Sequence, residues 1–527
     1  MFARARLASI VPTSRAVAAL ALALAACGGD PGGGDPLTIS PTSAQVATCR
    51  TAAFTADPAD LVSWSASVGT IADGLYAAPI SVPDPAQATI TATRDGASAS
   101  ATVDLATAFP GAIRDLAPGS AASTPNMIRA FAARGARAYA LTQTTTAPYR
   151  VSLVRSNDGG VTWQAPTTVG EHGGPAYLVG TSLAIDPADP EVVHVLLYAG
   201  AGGEGVDSIA QLGLLEAGSL LVLATSTNGG ASFTQRTLYS GGNGDVLLAD
   251  LAAPTAGAVV IAAPTPWIDA DTGAQGDELL IWSDAQRGAG FGALVDVGNG
   301  YQERAASPRV LRGGGGEYIE TATGHYGASV AAGTAGDVCV AYARYQIDGT
   351  SEAHTLVCSH DGGATWAAPV TIASGLPTRL AEPRIAMSTD GQVVAAAWQT
   401  YASDVDELGT SAYAVSTDGG ATFGAPHLLG AVIGGSGANL GVSDLQPSID
   451  SEGVIWLART LDRTTVQLDK SCDDGVTLSG AIFLDATGGA MVLPQVFESS
   501  AGVFAGGTRL DAQGHTSPAV VKLLDPA

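Results

Sequence analysis

The sequence predicts an all-β chain in which a small β-domain precedes a larger unit built by repetition. Five near-copies of one phrase, Ser-x-Asp-x-Gly-x-Thr-Trp, run through residues 156–478. Short apolar runs of strand character flank each copy, and no long segment keeps a helical period. The copies are Ser156 to Trp163, Ser226 to Phe233, Ser359 to Trp366, Ser416 to Phe423 and Ser471 to Leu478, with a sixth, broken copy at Trp282-Ser283-Asp284 through Phe291. A unit that returns roughly every 55 to 75 residues marks a repeat architecture.

At the N-terminus, Arg4, Arg6 and Arg15 precede an apolar core, Ala16 to Ala26, that is too short to span a bilayer. The core ends in Leu24-Ala25-Ala26-Cys27, which resembles a bacterial lipobox and implies residues 1–26 as a lipoprotein signal peptide with Cys27 as the acylated first residue. Residues 27–36, rich in Gly and Pro, then read as a flexible tether. These readings place the chain in a bacterial cell envelope, lipid-anchored, periplasmic or surface-exposed, with the membrane as a partner through the anchor.

Residues 37–106 alternate short strands with turn signals such as Asp57-Pro58 and Asp95-Gly96, the spacing of a small β-sandwich. The run Val62-Ser63-Trp64-Ser65, Gly69-Thr70-Ile71 and Gly74 to Pro79 resembles bacterial Ig-like domains, with Trp64 as the expected core anchor. Such a domain next to a tether reads as a spacer.

In the repeat unit the phrase is a turn between two antiparallel strands. Its glycines supply positive φ, and its Asp or Asn can accept backbone N–H bonds one or two residues on. A catalytic role for Asp158, Asn228, Asp361, Asp418 and Asp473 would require one acid five times over, and Asn228 is no acid, so these residues read as structural turn staples. Each unit holds an inner strand, a second strand, a third that enters the phrase and a fourth that leaves it. Inner strands start near Met127, Ser182, Val246, Gly327, Glu382 and Gln446. A last unit without the phrase, Pro494 to Leu523, has three strands, and residues around Ala112 to Leu116 are placed to supply its fourth. That count gives seven units, with six as the alternative if the last strands pack otherwise.

The phrase resembles the Asp-box, or BNR repeat, of sialidases and related β-propellers, over residues 110–527. The resemblance implies a propeller whose boxes lie on the face away from the active site. The long connections 200–218, 264–277, 298–326, 344–354 and 400–409 would gather on the other face, where binding residues sit on loops of a rigid scaffold.

Sialidases use a Tyr nucleophile supported by a Glu, an Asp acid/base and three arginines that clamp the sugar carboxylate. The nearest match to the Arg-Ile-Pro motif of the first arginine is Ile128-Arg129-Ala130-Phe131, which lacks the Ile-Pro. Arg304, Arg309, Arg344 and Arg384 are candidates for the other arginines by location only. Tyr318 with Glu317 or Glu320 is a candidate pair, although adjacent strand residues point to opposite faces. The implied fold is therefore stronger than the implied chemistry, and the catalytic set stays unassigned. The expected function is non-catalytic binding of a glycan or protein ligand, with an exo-sialidase-type glycoside hydrolase as the alternative.

A formal charge of −25 argues against nucleic acid as a partner. The seven histidines show no zinc-ligand spacing, and no cofactor is expected. Asp269-Ala270-Asp271-Thr272-Gly273 through Glu278 resembles a calcium loop but has Leu280 where the closing Glu belongs. Cys339 and Cys358 flank one hairpin loop and are candidates for a disulfide, whereas Cys49 and Cys472 are too far apart in sequence to be assigned.

Overall fold

The computed structural model describes residues 36–116, 126–144, 148–172, 177–200, 219–241, 249–268, 275–284, 295–296, 309–310, 319–320, 323–346, 352–376, 383–401, 408–433, 445–461, 465–485, 489–511 and 516–524. Every element among them is a strand. The signal, residues 27–35 of the tether and residues 269–274 of the calcium-like loop lie outside these residues.

Residues 38–106 form a four-stranded sheet, a three-stranded sheet and a two-stranded ribbon. Strand Ser43–Ala47 pairs in parallel with Ala97–Ala106, while the other pairings are antiparallel. One apolar cluster fills the space between them: Ile39, Phe54, Tyr76, Ile90, Val103 and Leu105. The anchor differs from expectation. Tyr76 lies in the middle strand of the three-stranded sheet and is fully buried, whereas Trp64 lies on an edge strand of the other sheet and packs half-buried against the cluster.

Residues 114–524 form a ring of seven four-stranded antiparallel sheets among the described residues. Sheet one comprises Asn126–Arg134, Arg137–Thr144, Tyr149–Ser156 and Thr167–His172. Sheet two runs from Tyr177 to Gly241, sheet three from Asp250 to Asp296, sheet four from Thr323 to Leu376, sheet five from Arg384 to Ile433 and sheet six from Gln446 to Asp485. Sheet seven comprises Gly489–Ser499, Gly502–Asp511, Thr516–Leu524 and, from the other end of the ring, Arg114–Asp115, which pairs with Thr516–Leu524. The first strand of each sheet packs on the first strand of the next, and Gly489–Ser499 returns to Asn126–Arg134. The architecture is a β-propeller.

Each sheet is covered on both faces, so its middle strands bury side chains of both faces, most of them apolar. In Val394–Tyr401, Val394, Ala396 and Trp398 face sheet four, and Ala395 and Ala397 face sheet six. Near the axis, inner strands present backbone groups with no strand partner, and side chains from the next sheet satisfy several. The Gln495 amide accepts from Phe131 N and donates to Arg129 O, each at 3.0 Å. Asp250 accepts from the Ser182 hydroxyl and, at 2.8 Å, from Val330 N, joining three sheets.

All five intact boxes repeat one hydrogen-bond pattern. The Ser hydroxyl accepts from the N–H of the glycine four residues on, at 2.7–2.9 Å, and donates to the Asp or Asn oxygen. The second carboxylate oxygen of Asp158, Asp361, Asp418 and Asp473 accepts the Thr hydroxyl at 2.6 Å. In the second box the polarity is reversed, because Asn228 donates to the Ser232 hydroxyl. The Thr365 hydroxyl and N–H hold the Asp361 carboxyl down at about 2, so it is ionised at neutral pH. The closing residues Trp163, Phe233, Trp366, Phe423 and Leu478 each pack at the seam with the preceding sheet.

Gly420 and Gly475, each four residues after the box serine, sit tightly. A Cβ on Gly420 would lie 2.7 Å from Leu356, and one on Gly475 would overlap Val415, at positive φ in both cases. Gly475→Ala is therefore expected to lower stability by about 1–3 kcal/mol more than Gly135→Ala, since overpacking adds to the left-handed penalty both share. Gly135 has φ of +56° and nothing within 4 Å of its Cβ position. Urea unfolding of the two variants measures the difference, and equal losses would refute the tight seam.

Candidate functional site

The two ends of each sheet differ. One end carries the boxes and the short turns between first and second strands. The other carries the connections between second and third strands and between sheets. Residues 201–218, 269–274, 297–308, 347–351 and 402–407 of those connections lie outside the described residues, so the site is built from the inner strands that end there.

Four inner strands carry a bulge, between Ile128 and Ala130, Gly180 and Ser182, Tyr326 and Ser329, and Val492 and Gln495. Bulges re-aim side chains. In sheet one the extra residue is Arg129. Its guanidinium is half-buried, and its Nε donates to Gln143 Oε1 at 2.9 Å. Burial pushes this group down to about 10, so it remains charged at neutral pH. No carboxylate faces it among the described residues. Gln495, which bonds to the Arg129 carbonyl, comes from sheet seven. The result is a half-buried cation held by Gln143, with its backbone held by Gln495, at the irregular end of the inner strand.

The other sequence candidates are dispersed. Arg384 opens the inner strand of sheet five, half-buried, opposite Ala397. Arg344 lies on the second strand of sheet four, in register with His325 and Ala353. Arg309 belongs to a two-stranded ribbon, opposite Glu320. Arg304, Glu317 and Tyr318 fall outside the described residues. Arg129 and Arg384 thus share the irregular end of the inner strands but belong to sheets one and five, which are not neighbours in the ring.

Three polar groups were not singled out from sequence. Arg459 Nε lies 3.3 Å from Asp469 Oδ2, its Nη1 donates to Leu429 O at 2.7 Å, and Gln467 donates to Asp469 at 2.6 Å. Burial pushes the Asp469 carboxyl up and the Arg459 guanidinium down. This paired cluster ties sheet six to sheet five. Lys470 is fully buried beside the N-terminal domain. His354 is buried between sheets four and five, edge-on to Trp398 at a ring separation of 5.2 Å, with neither ring nitrogen hydrogen-bonded. A charge or an imidazole inside an apolar strand, as in Ile455–Thr460 or Glu352–Ser359, was the available signal.

The disulfides complete the inventory. Cys339 and Cys358 face each other in register on neighbouring strands of sheet four and are bonded, with Cα atoms 4.1 Å apart. Cys49 of the sandwich is bonded to Cys472, inside the box of sheet six.

Burial pushes the His354 imidazole down to about 3. Because its folded value is depressed, the neutral ring costs nothing above pH ~6.5, and stability is lost as the pH falls from there towards 3. His354→Leu should remove that part of the acid sensitivity. Unfolding midpoints measured from pH 7 to 3.5 would contradict the assignment if the two proteins fell in parallel.

No family of known proteins matches the sequence, and no curated protein matches it. Solved structures of sialidases do resemble its fold. The leech intramolecular trans-sialidase shares 13% identity over 79% of this chain and 70% of its own, with a TM-score of 0.39. The NanB sialidase from Streptococcus pneumoniae shares 14% over 82% and 75%, with a TM-score of 0.41. The intramolecular trans-sialidase from Ruminococcus gnavus shares 14% over 79% and 98%, with a TM-score of 0.40. The likeness is one of all-β fold alone.

Proposed function

We propose that the chain is a lipid-anchored envelope protein in which a seven-bladed Asp-box propeller is a non-catalytic binding module for an acidic glycan or a carboxylate-bearing protein segment. The bound carboxylate sits at the irregular end of the channel. The observation that carries this reading is Arg129: a half-buried guanidinium, fixed by Gln143, with no carboxylate facing it among the described residues. A desolvated cation of this kind is complementary to an anion that can bond bidentately to it. Cys27 is the lipidation site, and the Ig-like sandwich is the spacer. The sandwich sits at the box end of sheet six, away from the inner-strand end that carries Arg129.

The alternative is an exo-sialidase-type hydrolase. Its support is that Arg129 lies on the first inner strand, where the sequence resemblance puts the first carboxylate-clamping arginine, with Arg384 at the end of another inner strand.

Two measurements separate the readings. On an array of sialylated, uronate-bearing and neutral glycans, the protein should retain acidic members, and Arg129→Gln should weaken them by about tenfold or more, the loss of one charged hydrogen bond. Binding confined to neutral glycans, or undiminished by the substitution, would refute the site. Turnover of a fluorogenic sialoside by the wild type, abolished in Arg129→Ala, would replace the binding reading with the hydrolase.

A further inference from the structure

Three consecutive sandwich residues seat on sheet six. Thr48 offers its carbonyl to Lys470 Nζ at 2.7 Å. Cys49 is bonded to Cys472 across 423 residues of sequence. Arg50 pairs with both Asp450 and Glu452. Behind them, Ala47 and Ala108 join an apolar cluster with Trp456, Leu468 and Ile482.

The two disulfides differ in their surroundings. Cys339 and Cys358 are buried at 0% and 6% exposure, sealed in a seam against Gly420. Cys49 and Cys472 are only half-buried, so a soluble thiol can reach them. The Ser479 hydroxyl is fully buried, and its recorded partners are these two sulfurs, at 3.5 Å from Cys49 and 4.0 Å from Cys472. A neutral disulfide sulfur is a poor acceptor, whereas a thiolate is a good one. The hydroxyl is therefore better partnered after the bond opens.

We propose that Cys49–Cys472 is a thiol-exchangeable latch that seats the sandwich on the propeller, whereas Cys339–Cys358 is a permanent crosslink. A dithiol supplies the chemistry. Its thiolate attacks the Cys472 sulfur and expels Cys49 as a thiolate, to which Ser479 donates. Its second thiolate then displaces Cys472. The dithiol leaves as a cyclic disulfide, and the two protons of its thiols end on Cys49 and Cys472.

Opening the bond unseats the domain because the joint buries Lys470 Nζ against the Thr48 carbonyl and over the Trp456 ring, 5.3 Å from its centroid, where burial and then the Arg50 guanidinium disfavour its charged form against the weaker pull of Asp450 and Glu452. Such desolvation is unfavourable without a covalent tie. Each partner keeps its own apolar core when parted.

The test uses the full chain in native buffer with dithiothreitol, quenched over time with iodoacetamide and read by peptide mapping. Cys49 and Cys472 should be alkylated about tenfold or more faster than Cys339 and Cys358, as thiol access dictates. The radius of gyration from solution scattering should rise as they open and fall again on reoxidation. Ser479→Ala should slow alkylation of Cys49 and Cys472 several-fold, with the Cys339 and Cys358 rate, which reports unfolding, unchanged. If that control rate rises, Cys49→Ser with Cys472→Ser reads docking instead and must reproduce the scattering of the reduced protein. All four cysteines reacting together, or a reduced latch with unaltered scattering, overturns the proposal.

Discussion

One hydroxyl, repeated in five boxes, underlies the architecture. It accepts from a glycine N–H and donates to a carboxylate or amide two residues after the serine. This bond holds two successive residues at positive φ, two glycines in four boxes and Asp474-Gly475 in the fifth, and lets the second press on the preceding sheet. The closing aromatic or leucine then fills the seam. Asn228 shows that geometry rather than charge is required, since an amide with reversed polarity holds the same turn. The boxes are spacers that set how closely successive sheets approach, and so they define a scaffold face.

The N-terminal domain uses that face. Cys472 occupies the variable place after the first serine of the last box, which points outward in a turn already made rigid. The neighbouring turn supplies Asp450, which also accepts the Trp456 indole N–H at 2.9 Å. A docking plate made from turns leaves the opposite ends of the sheets uncommitted. There four inner strands bulge, and Arg129 emerges with no carboxylate facing it among the described residues. Scaffold and candidate site are therefore separated by the length of a strand.

Much of this was legible in the sequence, because box spacing is local and periodic. The boxes located the third and fourth strands of five sheets, and Gln446 was read as the start of an inner strand that does start there. Sheet three was harder, because its box is broken and residues 285–294 lack the phrase. What escaped was non-local. Nothing in sequence joins Cys49 to Cys472, or Arg50 to Asp450, across some 400 residues. Trp64 looked like the sandwich anchor because it is the largest side chain, but Tyr76 holds the more enclosed strand. Gln143 and Gln495, which frame Arg129, carry no motif and became visible only when sheets one and seven met. Glu317 and Tyr318 lie outside the described residues, which point instead to the first inner strand.

The central claim is a division of labour, with boxes as scaffold and the inner-strand ends as the binding face. Hydrogen–deuterium exchange of the full chain, with and without a saturating sialylated or uronate-bearing glycan, tests it most directly. The account predicts new protection in Asn126–Arg134, Gly489–Ser499 and the connections at their irregular ends, with the five boxes unchanged. Protection concentrated in Asp158 to Trp163 and its four counterparts, with Asn126–Arg134 unaffected, would contradict it.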